Sequence, residues 1–150
     1  MPGKTLFVLL ILFPILLVSC GGNDFMLKDG YYTAEEMGYN AQGWKEYLTI
    51  SVSGGRIILI EYNSYNSSGF LKSWDMDYMR RMNAINGTYP NAYIRYYGRQ
   101  FLERQDTAGI DALSGATESY TTFIALAKAV LKNAREGNRR TTLVNPEDRL

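Results

Sequence analysis

Apolar and polar positions along the chain fall into a few distinct patterns. Residues 6–18 form an unbroken apolar run, broken in character only by Pro14. It is too short for a membrane span, which needs about twenty residues, and matches the core of a signal peptide. Further on, Leu48, Ile50 and Val52 alternate with Thr49, Ser51 and Ser53, predicting a strand with one buried face. Gly54-Gly55 then supplies a hairpin turn, since glycine accepts the positive φ such turns require. The return segment, residues 56–62, is apolar on both sides and predicts a central strand covered on both faces.

The second half changes to helical spacing. Residues 74–84 place Trp74, Tyr78, Met79 and Met82 on one side, and Tyr89-Pro90-Asn91 breaks the pattern. Residues 92–104 predict a second helix carrying Tyr93, Tyr96, Tyr97, Phe101 and Leu102. The longest pattern runs from about residue 118 to 135, with Phe123, Leu126, Ala127, Val130, Leu131 and Ala134 on one face. Gly137 fits the glycine that follows a helix end. Residues 29–33 read as a turn into a short strand, and 38–43, 63–73 and 106–110 as loops. Residues 138–150 read as an unstructured or loosely docked polar tail. The fold class expected is α+β: a small antiparallel sheet with packed helices, and a loop leading into the C-terminal helix.

Composition narrows the chemistry. The chain of 150 residues contains no histidine and one cysteine. That removes the commonest general base, and it removes any internal disulfide or Cys-ligated cluster. Sixteen basic and fifteen acidic side chains nearly balance, and loss of Lys4 with a signal segment would balance them fully. Nothing there favours nucleic acid or an anionic membrane surface. No Gly-x-Gly-x-x-Gly stretch is present, so NAD(P)H oxidation without a partner is not expected.

The apolar run ends Leu17-Val18-Ser19-Cys20-Gly21, which resembles a bacterial lipobox. The resemblance implies a lipoprotein signal peptide over residues 1–19, a diacylglycerylated Cys20 as the first mature residue, and a tether over 20–28. Two or three acyl chains anchor firmly where one is marginal. The expected location is the cell envelope, on the extracytoplasmic side of a bacterial membrane.

Asp111-Ala-Leu-Ser-Gly-Ala-Thr117 ends an irregular segment and opens the longest helical pattern. A helix start leaves backbone N–H groups without partners and favours negative charge, so Thr117 stands at or next to an N-cap where a phosphate is well placed. As a cap it would contribute about 1 kcal/mol. The segment resembles the flavinylation motif of the FMN-binding domain family, which includes the covalent-FMN subunits of sodium-translocating NADH–quinone reductases and many small bacterial lipoproteins. Gly69, Lys72, Ser73, Tyr78 and Met82 are also similar to the family's lipoprotein branch, so the resemblance spans a domain of about residues 29–137. Downstream the match is looser, with Glu118, Ser119 and Tyr120 in place of small hydroxyl residues.

The resemblance implies FMN bound covalently through a phosphoester to Thr117, with Asp111, Ser114, Gly115 and Ala116 as the frame that an FMN transferase reads. That transferase would use FAD and Mg²⁺. Asp111 is open to three roles: recognition, help in holding Mg²⁺ during transfer, or a turn residue bonding its own backbone. Tyr31, Trp44, Tyr47, Trp74 and Tyr78 are candidates to flank the flavin, and Arg80, Arg81, Arg95, Arg99 and Arg104 to include a phosphate partner. The function implied is an electron carrier between a membrane donor and an external acceptor, rather than a self-contained enzyme. The alternatives are a non-covalent FMN binder and a flavin-free envelope lipoprotein acting as a binding or assembly module.

Overall fold

The computed structural model describes residues 26–145. Cys20 and the rest of the signal and lipobox segment lie outside the described residues. Three antiparallel strands follow in sequence: β1 (Gly30–Glu36), β2 (Lys45–Ser53) and β3 (Arg56–Tyr65). A single 3₁₀ turn (Lys72–Trp74) leads into α1 (Met76–Asn86), α2 (Pro90–Arg104) and α3 (Thr117–Glu136), and β4 (Thr142–Val144) closes the chain. The architecture is α+β, as the patterning predicts.

Alternation puts Tyr32, Ala34, Leu48, Ile50, Val52, Ile57 and Tyr62 on one sheet face, all buried. α3 covers that face over β1 and β2, and α2 covers it beside β3. The apolar stripe of α3, from Phe123 to Ala134, supplies the facing half of the core, with Tyr93, Tyr97 and Phe101 from α2. Phe123 is the hub, with its ring 4.8 Å from Tyr62, 5.5 Å from Tyr97 and 5.8 Å from Phe101 between centroids. α3 ends at Gly137 in the left-handed conformation, as the sequence indicates.

Several expectations are corrected. β3 is an edge strand, because the strand order is β3-β2-β1-β4. Its register shifts opposite Ser51 and Val52, so Ile58 is an extra residue, and Ile58 and Leu59 are both exposed. A bulge of this kind interrupts the alternation, and it makes an edge strand read as a doubly buried one. The loop expected over 63–73 is partly ordered: β3 continues to Tyr65, which bridges Leu71, and the 3₁₀ turn follows. Trp74 precedes α1 rather than sitting on its buried face. Asp75 is the cap, accepting from the Tyr78 N–H at 2.8 Å.

The C-terminal stretch is not a loose tail as far as Val144. β4 pairs in parallel with β1, which makes the sheet mixed, and Val144 is buried. Asn133 of α3 ties it down, donating to Thr142 Oγ1 at 2.8 Å. The domain also begins earlier than residue 29. The Lys28 N–H donates to the Ala134 carbonyl at 2.9 Å, and Leu27 packs on the core.

Candidate functional site

The segment before α3 is fixed by side chains from α2. The Tyr97 hydroxyl donates to the Ala116 carbonyl at 3.1 Å and accepts from the Leu113 N–H at 3.2 Å. The Gln100 amide brackets Asp111, accepting from its N–H at 2.9 Å and donating to its carbonyl at 3.4 Å. Tyr120 reaches back from α3 to the Ile110 carbonyl at 3.0 Å. Gly115 has φ 78°, and a Cβ there would collide with the Asn86 carbonyl oxygen, so two separate constraints select glycine. Ala116 is buried and fills the space next to Tyr97.

Thr117 is the first residue of α3 and is exposed; Ala116 is the N-cap and supplies no side-chain bond. Thr117 thus stands next to the N-cap, within the placement expected, but its side chain does not make the capping bond. Its hydroxyl is not spent on the helix end, and the first N–H groups of a 20-residue helix lack a side-chain partner.

A cleft of about 210 Å³ opens at this end of α3. Gly115, Ala116, Thr117, Glu118 and Ser119 form one wall; Asn40, Gln42, Glu46, Lys72, Tyr78, Met82 and Asn86 form the rest. Ser114 and Asp111 do not line it. The Asp111 side chain is exposed and faces Arg104 at 4.0 Å, so the structure does not bring it to Thr117.

Two buried charged residues in the cleft, Lys72 and Glu46, were not given a site role by the sequence; exposed Glu118 is the third charged residue of its lining. Lys72 is 4% exposed, and aromatic rings surround its ammonium: Tyr78 at 4.8 Å, Trp44 at 5.9 Å and Tyr93 at 6.0 Å. Burial acts to lower its pKa, but the Tyr93, Glu46 and Tyr78 oxygens outweigh burial and hold it above the usual lysine value. Among the described residues, no carboxylate lies within 4.0 Å of it. The Tyr93 hydroxyl beside it is buried, and no group among the described residues meets it with hydrogen-bond geometry.

Glu46 lies on the sheet below. Its carboxylate accepts from the Tyr62 hydroxyl at 2.5 Å and from Ser119 Oγ at 3.1 Å. Burial pushes its pKa up to about 7, against the Tyr62 bond and the Lys72 charge, which pull it down. The sequence signal for Lys72 was the Lys-Ser pair after Gly69; Glu46 left none beyond its inward parity with Leu48.

The candidate aromatic flankers separate. Tyr78 lines the cleft and Trp44 stands edge-on behind it at 6.0 Å. Tyr31 is exposed, and Tyr47 pairs with Glu61 on the other sheet face. Trp74 lines a different cavity with Arg95 and Arg99. None of the five arginines reaches the cleft; its cation is Lys72.

No family model matches the chain. Among curated proteins, the 15 kDa lipoprotein of Treponema pallidum (strain Nichols) is 31% identical over 125 residues, covering 83% of this chain and 87% of the relative. This chain belongs to that lipoprotein's family. Family membership is consistent with the envelope association expected from the sequence. Two solved structures are similar. The crystal structure of the CPE2226 protein from Clostridium perfringens superposes with a TM-score of 0.77 at 40% identity, covering 80% of this chain and 98% of that one. A solution structure from Clostridium thermocellum gives 0.51 at 27% identity, covering 72% and 92%.

Proposed function

We propose that this protein is a lipid-anchored, extracytoplasmic flavoprotein that carries FMN as a phosphoester on Thr117 and passes electrons from a membrane donor to an external acceptor. One observation carries the reading. Thr117, exposed at the uncapped start of α3, shares a cleft with a buried lysine that has no carboxylate within 4.0 Å among the described residues.

The residues present fit a phosphate on that hydroxyl. The α3 N–H groups donate to phosphate oxygens and Lys72 supplies the countercharge. The cleft is smaller than the 300–1,000 Å³ usual for small-molecule sites, so it suits the phosphate end of the group rather than all of it. Tyr97, Gln100 and Gly115 hold Thr117 in place, which lets a partner transferase read a rigid segment. In that partner's reaction the Thr117 oxygen displaces AMP from the FMN-side phosphorus of FAD and gives up its proton, with Mg²⁺ supplied by the transferase. Bound flavin would supply one- and two-electron chemistry. Because Asp111 faces solvent rather than the cleft, its role is surface recognition by the transferase. Cys20 would carry the acyl chains, in keeping with a relative named as a lipoprotein.

Mass spectrometry of protein made with and without an FMN transferase tests the reading. The expected adduct is about 438 Da, FMN less one water, on a serine- or threonine-type phosphoester. Thr117→Ala abolishes it and Thr117→Ser retains part. Flavin that co-purifies without a mass shift supports the non-covalent binder. A wild-type protein left unmodified beside a competent transferase, and colourless, supports the flavin-free envelope module.

A further inference from the structure

A second cavity, of about 540 Å³, lies on the outer edge of β3, beside α2 and with Trp74 in its wall. Pairing with β2 decides which backbone groups of β3 face outward. The Ile57 N–H and carbonyl point away from β2, since both bond to the Gln105 side chain, at 2.7 and 3.0 Å. Ile57 pairs with Val52, and the β2 residues of the same parity, Ile50 and Leu48, pair with Ile60 and Tyr62. Those two residues therefore also turn their N–H and carbonyl groups outward. The edge closes again where Tyr65 bridges Leu71. An open stretch of strand is thus bounded by a stop at each end.

Four consecutive β3 residues, 60–63, line the cavity, which happens when a strand is met edge-on, because side chains alternate between faces. Ile94 and Leu102 give the opposite wall an apolar strip. Arg95 and Arg99 stand one helical turn apart, exposed, with no ion pair within 4.0 Å among the described residues. The cavity's one acid, Glu61, accepts from Tyr47 at 3.2 Å.

We propose that this groove docks an extended, acidic segment of a partner protein, added to β3 as a fifth strand. Ile60 and Tyr62 bond its main chain, Ile94 and Leu102 take its apolar side chains, and Arg95 and Arg99 pair with its carboxylates. The stops at Ile57 and Tyr65 limit the added strand to about five residues, an ordinary strand length. None of this rests on the flavin reading, so either can fail alone.

The test uses the full chain in detergent, made without transferase. A capped hexapeptide of alternating Glu and Val is titrated while the amide signals and hydrogen exchange of Ile60 and Tyr62 are followed. The same peptide with N-methylated backbone, a Lys–Val counterpart and succinate are the controls. The acidic peptide is expected to shift both amides and slow their exchange at least tenfold. Both control peptides should need at least tenfold higher concentration, and so should the acidic peptide with Arg95→Glu/Arg99→Glu, a double change on an exposed helix face. No response at Ile60 and Tyr62 overturns the proposal, as does equal binding of the Lys–Val peptide or unchanged affinity in the double variant. Succinate producing the same shifts also overturns it, in favour of a small-anion site.

Discussion

Thr117, Gly115 and Glu46 each do something different at one end of α3, and single substitutions separate their roles. Because Ala116 rather than Thr117 is the N-cap, Thr117→Ala should change unfolding free energy by no more than about 0.5 kcal/mol while removing any covalent flavin. Gly115→Ala meets both a positive φ and the Asn86 carbonyl, so a loss of about 2 kcal/mol or more is expected by urea denaturation. Glu46 imposes a pH dependence of definite sign. Its folded pKa of about 7 lies above the ordinary 4.5, so between those values the folded state holds the extra proton. Its contribution is complete below pH 4.5 and is lost as pH rises through 7, by about 3 kcal/mol for a shift of this size. Glu46→Gln removes the charge while keeping one acceptor oxygen, for the Tyr62 or the Ser119 hydroxyl, and an NH2 that donates to the other. Wild type minus variant, compared by denaturation from pH 4 to 8, should therefore fall across that window; a flat difference counts against a buried, titrating Glu46.

At the scale of elements, legibility followed how locally each one is specified. α3 was readable to within a residue at each end, because its stripe and its closing glycine are written in consecutive positions. The β2–β3 hairpin was readable for the same reason, but the burial of β3 was not. Its extra residue at the bulge mimics a two-faced apolar strand, and only the pairing partner reveals the slip. β4 left almost no signal, being three residues long and held by Asn133 from another element. The site divided in the same way. Ser114 to Thr117 form a local string, whereas Lys72 and Glu46 join it only through the packing of three elements. Asn133→Ala strips Thr142 of its partner and should cost about 1–2 kcal/mol. Amide exchange should then accelerate selectively across residues 142–144 while the β1–β2 ladder keeps its protection; uniform acceleration would mean that β4 does not open on its own.

For the molecule as a whole, an anchor on Cys20, as proposed, would limit by its distance from the domain which partners the domain can serve. Packing begins at Leu27, so only six residues lie between it and Cys20, and the seven steps reach at most about 25 Å even fully extended. A lipidated protein would hold the α3 cleft within roughly one domain diameter of the membrane beyond that reach, and a membrane-bound donor would meet it at the millimolar effective concentrations typical of short tethers. Diffusional encounter at micromolar protein is far slower. Cys20→Ala should therefore leave any flavin loading on Thr117 unchanged, because the Thr117 segment is held by Tyr97 and Gln100 of the described domain. It should cut the rate at which membrane vesicles reduce the flavin by at least tenfold, while dithionite, which needs no docking, reduces both forms alike. Stopped-flow bleaching of the flavin absorbance, with NADH added to the membranes and then to the protein alone, gives all of these rates. Reduction by membranes at equal rates for the two forms would remove the anchor from the mechanism, and bleaching by NADH without membranes would remove the need for a donor.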